Sequence, residues 1–400
     1  MKKDFNFKSF LPVLIPLIAA ILVVSTLAVS GRIAKNSDEK SPTATRTQQA
    51  VTQTEIQKEQ DAKVSIVAVG DNLIHNTLIA AGMKDDGSLD YTSFYEDISE
   101  YIKPADIAII NQETMLGGSS FEYAGYPNFN SPWEVGEAAI GAGFDVFTCA
   151  TNHSMDIGIA GIEKEVEFFK KHPEVTHIGT YASQEEYDKI TYYEKNGITF
   201  ALLNYTQHTN GIGVPENKSY AVKMLKEELV KKEITEARKN ADVVIVLPHW
   251  EQENSHEIID FQRKYVKLFS DLGVDIVIGT HPHVLQPVEW VTNAETGKKM
   301  LVYYSIGNFI SHQTNRNQMV GGMAEITVER KNGEIEITNA KLAPVIDFYK
   351  RSNGKYKFSV YKFCDYNDEL ASEQAQDGLT VKYAENLAKK IVGEEFLDLN

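Results

Sequence analysis

From Lys63 onward the chain is predicted to be an α/β protein, and three observations carry that reading. Short β-branched apolar runs alternate with stretches of helical period, the pattern of strands joined by crossover helices into a parallel sheet. Several of these runs end in polar clusters: Gly70-Asp71, Asn111-Gln-Glu113, Ala150-Thr-Asn-His153, Pro248-His249-Trp-Glu251 and Gly279-Thr-His-Pro-His-Val-Leu-Gln286. After Val288 the pattern changes to alternating runs with a turn at Lys331-Asn-Gly333, which predicts antiparallel strands and a second sheet. Ahead of the domain lies one long apolar run that predicts a single transmembrane helix.

That run is Phe10 to Val29, uncharged and preceded by Lys2, Lys3 and Lys8. At about 1.5 Å per residue it matches a hydrocarbon core of about 30 Å. The lysines predict a cytoplasmic tail at 1–9, an anchor at 10–30 and an extracellular remainder held at the cytoplasmic membrane. Ala28-Val-Ser30 offers a cleavage site, so a secretory signal peptide competes, although the run is long for one. No cysteine directly follows the run, which excludes a lipoprotein anchor. Residues 31–62, rich in Ser, Thr, Gln, Lys and Glu, predict a solvated linker.

Within the domain assigned to 63–350, strands are predicted at Val64 to Val69, Asp106 to Ile110, Phe144 to Ala150, Ile198 to Asn204, Asp242 to Leu247 and Val274 to Ile278. Helices are predicted at Asn72 to Met83, Tyr91 to Ile102, Trp133 to Gly141, Ile157 to Lys171, Val222 to Asn240 and His256 to Leu272. The later strands are Lys299 to Tyr304, Met323 to Glu329 and Glu334 to Leu342. Residues 351–400 form an extension whose acidic part from Asp365 has helical period. If the strands are parallel, all five polar clusters fall on one edge of one sheet.

Composition is ordinary for a globular domain, with 42% hydrophobic and 24% charged residues. Residues 1–62 carry eight Lys/Arg against six Asp/Glu, which leaves 32 against 50 in the rest. So acidic a domain excludes a nucleic-acid surface, which needs a basic face. A polyanionic ligand would need a local attractor, such as bound cations. Of the two cysteines, Cys149 lies in an apolar run and is read as a buried thiol; a disulfide to Cys364 is not predicted.

The strand-end clusters are rich in metal donors: Asp71, Glu113, Asn152, His153, His249, His281 and His283. In extended geometry residues two apart point the same way, so His281 and His283 can aim both imidazoles at one point. A dinuclear divalent site needs a carboxylate between ions about 3.5–4 Å apart, with imidazoles and neutral oxygens around it. Asp71 and Glu113 can supply the carboxylates.

Val69-Gly-Asp71, Asn111-Gln-Glu113, Ala150-Thr-Asn-His-Ser-Met-Asp-Ile-Gly158, Pro248-His-Trp-Glu-Gln-Glu253, Gly279-Thr-His-Pro-His-Val-Leu-Gln-Pro287 and Tyr304-Ser-Ile-Gly-Asn-Phe309 stand in the order and spacing of the CapA family. This poly-γ-glutamate capsule-synthesis family is similar to the calcineurin-like metallophosphoesterases, and the resemblance covers about 63–312. It implies a metallophosphoesterase-like α/β/β/α sandwich of two sheets with the metal centre at the strand ends. By that resemblance Asp71 and His283 hold one ion, Asn152, His249 and His281 hold the other, Glu113 bridges them and His153 is the general acid. Glu253 and Asn308, carried in the same motifs, are further candidates. Mixed imidazole and carboxylate donors suit zinc or manganese, and with Leu73 in place of a ligand one of the two ions is expected to be weakly held. The partners implied are poly-γ-glutamate or a related anionic polymer and the membrane subunits of the capsule synthase.

Two positions depart from the pattern. Leu73 stands where metallophosphoesterases place a histidine, and His75 lies one helical turn further on. Glu251 follows Trp250, where the family often has glycine; it could add a ligand, and is expected at the surface. Three functions remain open: a metal-dependent capsule-synthesis factor, an extracellular phosphoesterase and a non-catalytic polymer-binding module.

Overall fold

The computed structural model describes residues 60–400. The anchor expected at 10–30 and nearly all of the linker expected at 31–62 lie outside them. Among the described residues no helix is long and apolar enough to cross a membrane.

The chain builds its two sheets in three passes. β1 (Ala62–Asn72), β2 (Ile107–Gln112), β3 (Val146–Thr148) and β4 (Thr176–Ile178) start the first sheet as parallel neighbours. The second sheet is made by β5 (Thr191–Lys195), β6 (Ile198–Thr206), β7 (Val243–His249), β8 (Ile276–Ile278), β9 (Val288–Thr292) and β10 (Lys299–Tyr303). The chain then returns to the first sheet with β11 (Asn308–Ile310), β12 (Val320–Lys331), β13 (Glu334–Ser352) and β14 (Lys355–Lys362). The first sheet runs β14-β13-β12-β1-β2-β3-β4, with β11 parallel to the end of β1, and the second runs β5-β6-β7-β8-β10-β9.

Both sheets are therefore mixed, which corrects the expectation of a parallel sheet followed by an antiparallel one. Apolar periodicity locates a strand but carries no information on which distant strand it joins. β12 and β13 flank β1 antiparallel instead of founding a sheet of their own. β10 inserts parallel to β8 and pairs antiparallel with β9.

Alternation along the strands shows how the layers stack. In the second sheet Phe200, Leu202, Val243, Ile245, Ile276, Ile278, Leu301 and Tyr303 join the core that contains β1 and β2. The intervening Ala201, Leu203, Val244, Val246, Val277 and Val302 pack with helices Glu227–Asn240 and Asp260–Asp271. Strands apolar on both faces are what a sheet covered on both sides requires. In helix Glu227–Asn240 the buried Val230, Ile234 and Ala237 recur at helical spacing. Helices Trp133–Ala142 and Gly158–Lys171 bury Val135, Ala139, Phe168 and Phe169 against the first sheet.

Several predicted helices begin late because the preceding residues are held in strand contacts. Asn72 still pairs in β1, so that helix spans only Asn76–Gly82. Val222 and Met224 form bridges to Thr180 and Thr206, so the next starts at Glu227. The stretch predicted as one helix from Tyr91 breaks into Thr92–Phe94 and Ser99–Ile102. At the carboxyl end, helix Val381–Val392 buries Ala384, Ala388 and Val392 in the same core, and Leu397 bridges to Leu342 of β13.

Candidate metal centre

The candidate residues meet at the carboxyl ends of strands from both sheets. Asp71 lies at the end of β1, Glu113 follows β2, and Asn152 and His153 follow β3. His249 ends β7, His281 and His283 follow β8, and Asn308 opens β11 beside Asp71. Two glycines permit this convergence. A Cβ on Gly70 would stand 1.7 Å from the Gly307 carbonyl oxygen, and one on Gly279 would stand 2.0 Å from that of Tyr304. The backbones approach too closely there for any side chain.

His281 and His283 do converge, but not by extended geometry. Their φ angles are 96° and 59°, so both lie in the left-handed region, within a bend around Pro282. Non-glycine residues adopt that region at some cost, and it concentrates at functional sites.

Glu113 is the centre of the arrangement. Its Oε1 lies 3.7 Å from His283 Nε2, 3.8 Å from His249 Nε2 and 3.9 Å from His153 Nε2. Both Glu113 oxygens are buried without a hydrogen-bond partner. A buried carboxylate left unpaired is costly, and the spacing suits a cation: two donors each about 2.1 Å from one ion stand about 3.5 Å apart. Donor atoms of Asp71, Glu113 and His283 lie within 4.8 Å of one another, as do those of Glu113, His249 and His281. Another trio, the buried Cys149 and Glu165 with the half-buried His177, makes the contrast. There Thr180 Oγ1 donates to Glu165 at 2.7 Å and meets His177 Nε2 at 2.8 Å, so the polar atoms have partners.

The other candidates surround this carboxylate. Asn152 Oδ1 lies 2.8 Å from His249 Nε2, and His281 Nδ1 lies 3.2 Å from the same nitrogen. Asp71 Oδ2 is 3.1 Å from His283 Nδ1, which also contacts Asn308 Oδ1 at 2.9 Å. Glu253 is exposed, with a carboxylate oxygen near the donors of His281 and His283. His75 lies outside the close donor groups around Glu113. The His312 amide donates to its Nδ1 at 3.2 Å, the Leu73 carbonyl lies 3.2 Å from the same nitrogen, and its ring meets Phe129 edge-on. Leu73, itself buried, supplies no ligand.

Glu251 lies half-buried between two imidazoles, its Oε2 3.2 Å from His281 Nε2 and its other oxygen in contact with His208. The surface expectation is corrected: Trp250, anchored to the Tyr304 carbonyl at 2.9 Å, sets the chain so that the next side chain turns into the cluster.

Sequence reading also passed over Asp156, Thr280 and His208. Asp156 Oδ2 meets His153 Nδ1 at 2.7 Å and accepts the Phe129 amide at 2.7 Å. Thr280 Oγ1 meets His249 Nδ1 at 2.9 Å. Asp156 was visible as the acid in Asn152-His-Ser-Met-Asp156, three residues after the histidine. His208 lies in a loop with no motif around it.

The electrostatics favour a cation. Burial, then the charge of Asp71, pushes the Glu113 carboxyl well above the usual range, against the opposing pull of His283. Burial would lower His283, but the carboxylates of Glu113 and Asp71 prevail and raise it to about 10. The Glu113–His283 pair thus retains a proton that a bound ion would displace. Burial lowers His249 well below the ordinary value, helped by the neighbouring His281 and His283, and burial lowers His281 despite Glu251. Neutral imidazole is the form that ligates. The His281 contact, working against burial, holds Glu251 down at about 2.

The model of the family described as "Bacterial capsule synthesis protein PGA_cap" matches residues 65–313. The chain belongs to this family. It is 35% identical over 211 residues to PGA biosynthesis protein CapA of Bacillus subtilis (strain 168), covering 50% of this chain and 53% of that one. It is 24% identical over 312 residues to capsule biosynthesis protein CapA of Bacillus anthracis, covering 76% and 69% respectively. The chain thus spans about half the length of the first of these PGA_cap relatives. Among solved structures it is similar to the calcineurin-like phosphoesterase YfkN from Bacillus subtilis, with 15% identity and a TM-score of 0.43 over 83% of this chain and 98% of that one. It is also similar to a putative 5'-nucleotidase from Staphylococcus aureus, with 14% identity and a TM-score of 0.44 over 74% and 57%. The PGA_cap match takes in every strand from β2 to β11 and all the donors around Glu113.

Proposed function

We propose that this protein is a membrane-anchored, extracellular component of poly-γ-glutamate capsule synthesis or export, with a divalent-metal centre that acts on or binds the polymer. Family membership and the names of the two CapA relatives support the capsule role. The observation that carries the metal centre is Glu113, buried and unpartnered among three imidazoles. Asp71 and His283, with Asn308 beside them, would hold one ion; Asn152, His249 and His281 would hold the other; Glu113 faces both groups. Mixed imidazole and carboxylate donors suit zinc or manganese. Bound there, a divalent ion supplies Lewis acidity and a counter-charge for a carboxylate or amide oxygen. A polymer of carboxylates approaching an acidic domain needs such a counter-charge.

This chain's own contribution to chemistry is His153. Asp156 holds its Nδ1, so Nε2 faces Glu113 and can give a proton to a leaving atom. The absence of an imidazole at Leu73 weighs against a plain phosphoesterase. Expected partners are the polymer and the membrane subunits of the capsule synthase.

The test combines metal analysis of the purified full chain with product analysis on poly-γ-glutamate and on a generic phosphodiester. Bound divalent metal together with cleavage, transfer or retention of the polymer is expected. A metal-free protein, or one that cleaves the phosphodiester and ignores the polymer, would overturn the proposal. Cell fractionation checks the anchor, which falls if the protein is found in the medium with a mature start at Gly31.

A further inference from the structure

We infer that Glu251, clamped by His208, is a positioning residue that orients His281 toward the candidate metal centre. The inference rests on the metal-centre reading above and adds an outer carboxylate that holds one of its imidazoles.

The protonation pattern follows from the hydrogen bonds. The Asn210 amide donates to His208 Nδ1 at 3.3 Å, so the His208 proton sits on Nε2, in contact with Glu251 Oε1. On the far side Glu251 Oε2 lies 3.2 Å from His281 Nε2, a buried nitrogen that makes no hydrogen bond, so the two are close but not aligned for one. His281 Nδ1 points the opposite way, 3.2 Å from His249 Nε2, within the group that includes Glu113. For Nδ1 to ligate, it must be unprotonated, which places the His281 proton on Nε2, the nitrogen beside Glu251. One carboxylate thus lies between two N–H donors, and its backbone is fixed by donation from the Glu251 amide to Gln207 Oε1 at 3.0 Å.

The other candidate imidazoles have comparable outer contacts, His249 with Thr280 and His283 with Asn308. His281 has particular need of one. With φ at 96° it stands in an irregular bend, where no strand geometry sets its ring. A carboxylate behind a ligating histidine fixes the tautomer and ring orientation and raises the basicity of the ligating nitrogen.

A direct test strips the purified full chain of metal and titrates it with zinc against a competing chromophoric chelator. Glu251→Ala should weaken zinc binding by about 10- to 100-fold, while the metal-free melting temperature stays that of the parent. Glu251→Gln keeps an acceptor oxygen and should lose less. His208→Ala, which removes the clamp but not the acceptor, should also lose less. With cobalt as the probe, Glu251→Ala should shift the visible absorption band, a change that a purely structural role would not produce. Parental zinc affinity and a parental cobalt spectrum in Glu251→Ala would overturn the inference. So would the loss of one whole metal equivalent with the remaining affinity unchanged, which would make Glu251 a ligand of its own ion. A parent chain that binds no metal defeats this inference and the metal-centre reading together, whereas a metal-binding parent with an unaffected Glu251→Ala defeats the inference alone.

Discussion

His153 Nδ1 stands 2.7 Å from Asp156 Oδ2, and this contact turns the other ring nitrogen toward Glu113, 3.9 Å away. Phe129 closes one side of the ring at a centroid distance of 4.6 Å. An imidazole held by a carboxylate on one nitrogen and open on the other is arranged for proton transfer and not for packing alone.

His153→Ala should therefore keep metal content and melting temperature while lowering activity, or capsule production in a complementation assay, by about 10²- to 10⁴-fold. Asp156→Ala should fail in the same sense, because the ring loses the acceptor that sets its tautomer. If His153→Ala restores full capsule production at equal expression and metal content, the protein is a binding module.

Glu113 gives a prediction about metal removal. A ligand bound only by the folded state stabilises it by RT ln(1 + [L]/Kd), about 2.7 kcal/mol at a hundredfold excess over Kd. Zinc or manganese should raise the melting temperature of the parent, and chelator should reverse the rise. Glu113→Gln should abolish the metal-induced rise while changing the metal-free melting temperature little, since a neutral amide replaces a carboxyl that has no partner there. Thermal unfolding with and without metal checks both arms. An equal metal-induced rise in parent and variant would remove Glu113 from the centre.

Glycines give a stability prediction with an internal control. A Cβ at Gly279 would press on the Tyr304 carbonyl at 2.0 Å and the Trp250 indole nitrogen at 2.6 Å, which hydrogen-bond to each other. Gly279→Ala should destabilise by about 1–3 kcal/mol and weaken metal binding, because His281 lies two residues on. At Gly141, inside helix Trp133–Ala142, an added Cβ would meet nothing within 4 Å. Gly141→Ala should stabilise by about 0.5–1 kcal/mol. Urea unfolding midpoints of the two variants should move in opposite directions.

The strands and the donor residues were legible because each depends on a local pattern. Val64 to Val69 announces a strand by composition alone, and Asp71 follows its apolar end. What the pattern lacks is long-range pairing, so β12 and β13 were expected in a separate sheet although they lie beside β1. Outer contacts escaped for the same reason. Glu251 and His208 are 43 residues apart in the chain, and nothing local to either announces the other. Asp156, by contrast, lies three residues from His153 and needed only a role for the second ring nitrogen.

Asp347 on β13 should make stability fall as pH rises. Its Oδ2 accepts the Ser311 amide at 2.7 Å and lies 3.1 Å from the Ser311 hydroxyl, while Oδ1 is buried without a partner. Burial outweighs those two hydrogen bonds and raises the carboxyl from 3.8 to about 8. The folded value exceeds the unfolded one, so the contribution is fully present below pH 3.8 and is lost progressively as pH rises to about 8. Within that window the folded chain holds one proton that the unfolded chain has released. The slope from this group is therefore at most about −1.4 kcal/mol per pH unit. Asp347→Asn removes the titration without changing the shape of the side chain. Urea unfolding of metal-free parent and variant at about pH 5 and about pH 7 should show the parent losing more stability between the two conditions. Parallel losses would mean that Asp347 is already ionised in the folded protein, with its Oδ1 reached by solvent or an ion.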